Sequence, residues 1–267
     1  MEIIEGEAKG GMPNRLYKYR PLNGEQGERV VKTIIDSQIY LSSPSAFNDI
    51  FDCRPVFSCS GTDEEFVRLY VQLCRDRNRT EPIEELLIEA WAAIGTLRDP
   101  RNRKTSVEIQ RGMATRLQKS GVYSMSEKRD DLLMWAHYAN NHSGVCLEFD
   151  GRSELMRVAL RVIYSDHRPV INRLANEVTQ TMMEKALLTK SSHWSYEREW
   201  RLIHVADGFG FVDYDPAALT GVIFGAEIRP TDEELIRDAV IRSRSRGVKF
   251  YRATADDDHF KVNVKEL

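Results

Sequence analysis

Two glutamates separated by one residue lie in an aromatic segment of the C-terminal half. The segment reads HWSYEREWRLIHV and places Glu197 and Glu199 beside Tyr196, Trp200 and Arg201. If a strand begins here, both carboxylates project from one face together with Arg201, because side chains alternate along a strand. Two carboxylates this close raise the pKa of at least one unless a cation offsets them. The spacing predicts acid–base or cation-stabilising chemistry; the alternative is an exposed strand face with Glu199 paired to Arg201.

A second group of polar residues follows two predicted strands near the N-terminus. Residues 16–20, LYKYR, alternate apolar and long polar side chains, which is typical of a strand, and residues 39–42 predict another. The side chains on and after these strands predict one wall of a pocket: Tyr17, Tyr19, Arg20, Ser42, Ser43, Asn48, Asp49 and Asp52. The alternative is that Ser43 begins a turn and that Asn48 and Asp49 cap a short helical turn.

A third group lies in residues 134–144, MWAHYANNHSG, on and after a helix predicted at residues 131–140. Its candidates for substrate binding are Trp135, His137, Tyr138 and His142. The two histidines do not share a helical face and no third ligand has suitable spacing, so no metal site is expected. The alternative is that the aromatic residues pack in the core and the histidines bond to the backbone.

Composition limits the classes of protein that these groups can belong to. The chain has 267 residues, and 38 Lys and Arg against 41 Asp and Glu give a net charge of −3. This balance does not indicate a nucleic-acid partner. No run approaches the ~20 apolar residues of a membrane span, and no leader pattern begins the chain, so a cytoplasmic protein without a membrane partner is expected. The four cysteines show neither a zinc-site spacing nor a disulfide framework.

The predicted elements that position these groups indicate an α+β fold. Strands and helices are interspersed without a regular βαβ period, which favours a mixed or split antiparallel sheet. Residues 1–14 predict a flexible tail, residues 15–267 one domain, and residues 62–120 a helical insertion within it. Thr-x-x-Glu capping boxes predict helix starts at Thr62, Thr105 and Thr231. Residues 159–164 predict a strand, and residues 169–190 predict one long helix.

Six segments together resemble the signature of a bacterial family catalogued as a domain of unknown function. They are LYKYR, YLSSPSAFNDIFDC, SMSE, MWAHYANNHSG, CLEFD and YEREWRLI, within a resemblance that extends from about residue 16 to residue 251. A further resemblance comes from the order of three residue types. Arg20 on a first strand, Ser42 at the end of a second and Glu-x-Glu before a later strand follow the order found in ADP-ribosyltransferases.

The second resemblance implies a split antiparallel sheet that holds NAD as a substrate. Arg20 would contact the diphosphate, Ser42 would support the nicotinamide side, and Glu199 would stabilise the oxocarbenium-like ribose. Glu197 would position the acceptor, which is a macromolecule not identified by the sequence, or water. The implied enzyme is an ADP-ribosyltransferase or NAD glycohydrolase, and a toxin or phage-defence role is typical of bacterial transferases of this kind. The serine segment reads LSSP rather than Ser-Thr-Ser, which departs from that pattern.

Two alternatives from other classes remain open at this point. A metal-assisted hydrolase or nuclease would use a set of acidic residues and histidines, namely Asp49, Asp52, His137, His142 and Glu148. A non-catalytic module would bind a nucleotide-like ligand or a protein partner without turnover. The sequence contains neither a Walker loop nor a GxGxxG segment after a strand, which argues against an NTPase and a Rossmann dehydrogenase.

Overall fold

The computed structural model describes residues 11–58, 60–98, 114–115, 117–172, 174, 179–205 and 208–267. Its helices include α1 (Gly24–Asp36), α2 (Asp63–Asp76), α3 (Ile83–Arg98), α4 (Leu132–Tyr138), α5 (Thr179–Leu188) and α6 (Pro230–Arg242). Its strands are β1 (Arg15–Arg20), β2 (Gln38–Leu41), β3 (Val56–Ser58), β4 (Gly121–Ser126), β5 (Val145–Asp150), β6 (Leu160–Arg161), β7 (Ile163–Ser165), β8 (Val170–Asn172), β9 (Thr189–Ser191), β10 (Glu199–His204), β11 (Gly210–Asp213), β12 (Leu219–Phe224), β13 (Lys249–Ala255) and β14 (Val262–Glu266). Most of the predicted tail, and part of the predicted helical insertion, lie outside the described residues.

The largest sheet is mixed and mostly antiparallel. Its strand order is β14-β13-β12-β5-β1-β4-β10-β6, and within it only β12 and β13 run parallel to each other. Three further sheets contain two strands each: β11 with β2, β3 with β8, and β7 with β9. The helices do not alternate regularly with these strands. The predicted α+β class with a mixed sheet is therefore confirmed.

Both faces of the central strand β1 are covered by apolar side chains. Leu16 packs in one core cluster with Ile34 of α1 and Phe149 of β5. Tyr19, on the opposite face, belongs to a second cluster and meets Trp135 edge-on, with 5.1 Å between ring centroids. Because successive side chains of a strand alternate, a single strand anchors both layers.

The strands β1 and β2 meet β4 at opposite ends and separate between these points. On β4, Ser126 is the partner of Tyr17 in β1. Four residues earlier on β4, Val122 forms an isolated bridge with Ser42, which directly follows β2. The sheet is therefore split along β4, and the split opens the cavity described below.

Two of the predicted elements are wrong in their boundaries. Residues 169–190 are not one helix, because β8 precedes α5 and β9 follows it. Residues 159–164 are likewise not one strand, since β6 and β7 belong to different sheets. In each case a short strand finds a partner far away in the sequence: β8 pairs with β3, and β9 pairs with β7. Tertiary pairing overrides local propensity at these positions.

The three predicted capping boxes have different outcomes. The box at Thr62 is confirmed, because its Oγ1 accepts from the Glu65 N–H at 3.3 Å and the Glu65 carboxylate accepts from the Thr62 N–H at 2.8 Å. Thr105 lies outside the described residues. The box at Thr231 is wrong: the N-cap of α6 is Arg229 and its first residue is Pro230. Proline is favoured at a first helical position, so this helix begins two residues earlier than an N-cap at Thr231 predicts.

Candidate functional site

A cavity of about 470 Å³ lies where β1 and β2 separate. Residues from β1, β4, α1, α4, β9 and β10 line it, together with the loop that follows β2. Its walls carry both signs of charge. Glu197, Glu199 and Asp52 contribute carboxylates, whereas Lys18 and Arg20 contribute cations. A cavity of this size with convergent polar groups is a typical small-molecule site.

Five charged side chains are buried together at one side of this cavity. They are Asp52, Lys190, Glu197, Glu199 and Arg201, and each is at most 7% exposed. The Lys190 ammonium donates to Glu197 at 2.5 Å and to Glu199 at 2.9 Å, and it lies 3.6 Å from Asp52. Burying ions is costly unless each is paired and hydrogen-bonded. The short distances in this group, which we call the charged cluster, meet that condition.

Arg201 is the fully buried centre of the charged cluster, with no exposed surface. Its guanidinium donates to both oxygens of Asp52, at 2.9 and 2.7 Å, and to both oxygens of Glu199, at 2.7 and 3.0 Å. A further bond of 2.6 Å reaches the Leu187 carbonyl. The planar fork of arginine suits two bidentate carboxylates, which a lysine could not hold in the same way. Arg201 therefore holds the Glu199 carboxylate in place, although Arg201 does not itself line the cavity.

Lys190 and Glu199 are both held in their charged forms. Burial disfavours the ammonium, but the Glu199 and Glu197 carboxylates outweigh it and hold the pKa of Lys190 above its ordinary value. Burial likewise opposes ionisation of Glu199, but Arg201 and Lys190 outweigh it and hold the pKa of that carboxyl below its usual range. Glu199 thus presents a carboxylate near neutral pH.

Glu197 is the member of the charged cluster that titrates nearest to neutral pH. Burial raises the pKa of Glu197 to about 7, and the charge of Glu199 adds to the effect, while Lys190 and Tyr138 oppose it. Three carboxylates share only two cations in the cluster, so one negative charge is in excess when all are ionised. Protonation of Glu197 removes that excess.

This titration predicts a pH dependence of stability. The folded protein holds a proton on Glu197 between about pH 4.5 and about pH 7, where the unfolded chain has lost it. Folding stability should therefore fall by about 3 kcal/mol as the pH rises through this window. Glu197→Gln should flatten this part of the profile, because glutamine does not ionise. Melting temperatures of both proteins from about pH 5 to pH 8 check it; parallel profiles would contradict it.

Two basic side chains of β1, Lys18 and Arg20, also line the cavity. The Lys18 ammonium donates to the Ser124 carbonyl at 2.5 Å, and the Arg20 guanidinium donates to the side-chain oxygen of Gln26 at 2.9 Å. No carboxylate among the described residues forms an ion pair with Lys18 or Arg20. Burial, together with the charge of Arg20, lowers the pKa of Lys18. An anionic ligand group would pair with the Arg20 guanidinium and would favour the charged form of Lys18.

Aromatic side chains form the rim next to the charged cluster. The Tyr138 hydroxyl donates to Glu197 at 2.6 Å, and the Tyr196 hydroxyl lies 3.0 Å from the His137 ring. Trp194 and Tyr196 are neighbours, with 6.0 Å between ring centroids. The N-cap Asp131 starts α4 by accepting from the N–H groups of two residues in its first turn, which fixes the helix that carries His137 and Tyr138.

The structure brings together many of the site residues expected from the sequence. Ten of them line the cavity: Tyr17, Tyr19, Arg20, Ser42, Asn48, Asp52, His137, Tyr138, Glu197 and Glu199. Arg201 and Tyr196 do not line it but contact residues that do. Tyr17 and Arg20 lie on opposite faces of β1, yet both reach the cavity because it extends through the split in the sheet.

Four expected residues lie elsewhere. Trp135 is fully buried, and its ring nitrogen donates to the Arg129 carbonyl at 3.0 Å, as the core interpretation predicts. Ser43 caps the short helical turn at residues 44–46, and Asp49 accepts from the N–H of Phe51. Both follow the turn interpretation of their segment. His142 lies in the tight turn before β5, with a φ of 67°.

Glu197 reaches the charged cluster by a different route from the one expected. It ends a short helical turn, residues 192–197, and does not belong to β10. Arg198 follows with a φ of 46°, a left-handed conformation that breaks the strand alternation between the two glutamates. Ser126 donates to the Glu197 carbonyl at 2.6 Å and fixes this turn. The expectation that Glu199 and Arg201 share a strand face is confirmed by their contact.

Lys18 and Lys190 also line the cavity, although neither was predicted from the sequence to be a site residue. Lys190 lies in β9, whereas the helix predicted from the sequence ends at this residue. No residue spacing therefore linked Lys190 to the two glutamates. Lys18 stands between Tyr17 and Tyr19 on β1, and only the alternation of that strand could have drawn attention to it. Asp52 did appear in the predicted pocket wall, and its partner Arg201 appeared in another segment.

The fold and the site together define a class of protein: an α+β protein with a charged cavity in the split of its sheet. Residues 134–202 match a family model described as a protein of unknown function, DUF2971. The resemblance to a family of unknown function is thus confirmed over this segment, which contains Lys190, Glu197, Glu199 and Arg201. The segments before residue 134 lie outside the match. Comparisons with curated proteins and with solved structures found no match.

Two further observations concern metal binding and membrane association. Among the described residues, no group of three or more histidine, cysteine, aspartate or glutamate side chains is arranged to hold a metal ion. In the same part of the chain, no helix has the length and apolar character needed to cross a membrane. Glu148, assigned to the metal-assisted alternative, instead contacts Arg15 at 3.3 Å and the Thr220 hydroxyl at 2.8 Å.

Proposed function

We propose that this protein uses NAD, cleaves its nicotinamide–ribose bond and transfers ADP-ribose to an acceptor or to water. One observation carries the proposal: Arg20, Ser42 and Glu199 come from three separate parts of the sequence and line one cavity in the split of the sheet. The resemblance to ADP-ribosyltransferases implies this arrangement. NAD as the substrate and the cytoplasm as the compartment belong to the same proposal.

The charges of the cavity fit two parts of NAD: the diphosphate and the ribose that becomes cationic. Arg20 has no carboxylate partner among the described residues, and its charge fits the diphosphate of NAD. Lys18, two residues earlier on the same face of β1, adds a hydrogen-bond donor. Glu199 keeps its carboxylate ionised near neutral pH, and its charge fits the cation that develops on the ribose. The aromatic rim offers surfaces on which the nicotinamide ring can stack.

The proposed reaction is balanced without another cofactor. The bond between the ribose C1′ and the nicotinamide nitrogen breaks, and its electron pair leaves with nicotinamide, whose ring becomes neutral. The oxocarbenium-like ribose then accepts an electron pair from the oxygen or nitrogen of the acceptor, which loses a proton. Glu197 lies next to Glu199 across Lys190, and in its ionised form it can accept that proton.

The first test combines NAD binding with nicotinamide release. The wild-type protein should bind NAD in calorimetry and release nicotinamide, with or without added lysate. Arg20→Ala should weaken NAD binding about tenfold or more, because a charged hydrogen-bond donor to the diphosphate is lost. Arg242→Ala is the control, since this exposed guanidinium pairs with Asp238 on α6 and does not line the cavity.

Each result has a defined meaning. Absence of both NAD binding and nicotinamide release in the wild type would reject the transferase proposal. Binding without release would instead favour a nucleotide-binding module. Equal losses in Arg20→Ala and Arg242→Ala would show that Arg20 does not contact the ligand.

A further inference from the structure

A second cavity adjoins the first. Its volume is about 410 Å³, and Arg29, Ser42 and Ala46 line both cavities. Tyr40 and Phe209 contribute aromatic walls. A third cavity, of about 480 Å³, shares Phe209 with the second. The three cavities therefore form a row, linked by shared residues at each border.

Aromatic rings and cations alternate along this row. The Arg29 guanidinium lies 3.6 Å from the centroid of the Tyr40 ring, and the Lys32 ammonium lies 4.1 Å from that of Phe211. Tyr40 and Phe211 face each other across the β2–β11 pair and meet edge-on at 5.0 Å. Arg29 and Lys32 are three residues apart on α1, so one helix face supplies both cations.

Exposed rings next to cations are the elements that bind unpaired bases and their phosphates. Phe209 and Phe211 are 50% and 43% exposed. Bases stack on such rings whatever their identity, and cations that follow the chain contact the phosphates. Lys32 has no carboxylate partner among the described residues. The nearby Asp213 is bonded by the Gln38 amide at 2.7 Å, and Glu25 pairs with Arg29.

We propose that this surface, defined by Arg29, Lys32, Tyr40, Phe209 and Phe211, binds a single-stranded nucleic acid. The three cavities together enclose more space than one nucleoside needs, which favours a strand over a mononucleotide. The row joins the first cavity at Arg29 and Ser42, so a bound strand would enter the cavity that contains the proposed reaction centre. The strand's role as the acceptor rests on the proposed function; its binding does not. The net charge of −3 does not itself indicate this partner; the proposal rests on the local pairs of ring and cation.

The test is fluorescence anisotropy with labelled 12-nucleotide DNA and RNA strands, in the absence of NAD. The wild-type protein should bind the strands, and the affinity should fall as salt is added. The double variant Phe209→Ala/Phe211→Ala should lose about tenfold or more in affinity, because two stacking surfaces are removed. Lys32→Gln should weaken binding and lower the salt slope by about one. Phe260→Ala is the control, since Phe260 is fully exposed outside this surface.

The outcomes separate this proposal from the proposed enzyme. Failure of the wild type to bind either strand, or equal losses in Phe260→Ala and in the double variant, would overturn the nucleic-acid surface. If AMP binds, the strands do not, and the double variant weakens NAD binding, the second cavity holds the adenosine half of NAD and the proposal is wrong. Strand binding without nicotinamide release supports the surface while rejecting the enzyme.

Discussion

Glu199→Gln is expected to retain NAD binding and to release nicotinamide roughly a hundredfold or more slowly than the wild type. Glutamine keeps the shape of the side chain but removes the negative charge that would stabilise the cationic ribose. The variant should also lose stability, by about 3 kcal/mol, because Arg201 and Lys190 each lose a charged partner. Nicotinamide release, NAD calorimetry and urea unfolding of the same preparation measure the three effects separately.

Glu233→Gln is the matched control for this variant. Glu233 also pairs with two cations, Arg237 and Arg252, but it does not line the cavity. It should lose stability without losing nicotinamide release per folded molecule. Comparable losses of release in both variants would make Glu199 a structural carboxylate and remove its catalytic role.

The sequence predicted the strands of the site better than the contacts between them. Alternation in LYKYR and EWRLI placed Arg20 on β1 and Glu199 with Arg201 on one face of β10, as the structure has them. These are local properties, since one strand's period fixes which residues share a face. The convergence of Arg20, Ser42 and Glu199 on one cavity followed from the resemblance rather than from the pattern.

The other contacts of the site depend on pairing between strands that are far apart in the sequence, and local patterns do not show such pairing. Lys190 enters the charged cluster because β9 pairs with β7, with Tyr164 opposite Lys190. Tyr164 in turn accepts from the backbone N–H of Glu199 at 2.8 Å, which joins β7 to the start of β10. Nothing in the helical pattern of residues 169–190 indicates these pairs, so the buried lysine was not predicted.

The position of Glu197 was likewise predicted only in part from the sequence. The spacing Glu-x-Glu predicted a common strand face, whereas a left-handed Arg198 turns the chain between the two residues. Both carboxylates nevertheless contact Lys190, because the turn and the strand approach it from different directions. The predicted proximity of charge was therefore sound, although the backbone geometry behind it was different.

Arg201→Met is expected to give the largest loss of folding stability, about 3–5 kcal/mol. The substitution removes the fully buried cation that holds Asp52 and Glu199, and Lys190 is then the one remaining cation for three carboxylates of the charged cluster. The methionine approximates the volume of the arginine, so the loss measures charge more than packing. Urea unfolding of both proteins at neutral pH gives the difference. Arg237→Met is the control, because a partly exposed arginine is worth about 1 kcal/mol or less.

The double variant Arg201→Met/Asp52→Leu separates charge balance from the mere loss of contacts. It also removes the contacts that Asp52 keeps in Arg201→Met, with the Cys53 thiol at 3.4 Å and the Lys190 ammonium at 3.6 Å, so an account based on contacts predicts a further loss of stability. An account based on buried charge predicts the reverse, because the carboxylate left without Arg201 is also removed and an apolar pair replaces the ion pair. Part of the stability lost in Arg201→Met should therefore return. If the double variant is less stable than Arg201→Met, the charged cluster is held by its hydrogen-bond geometry rather than by its balance of charge.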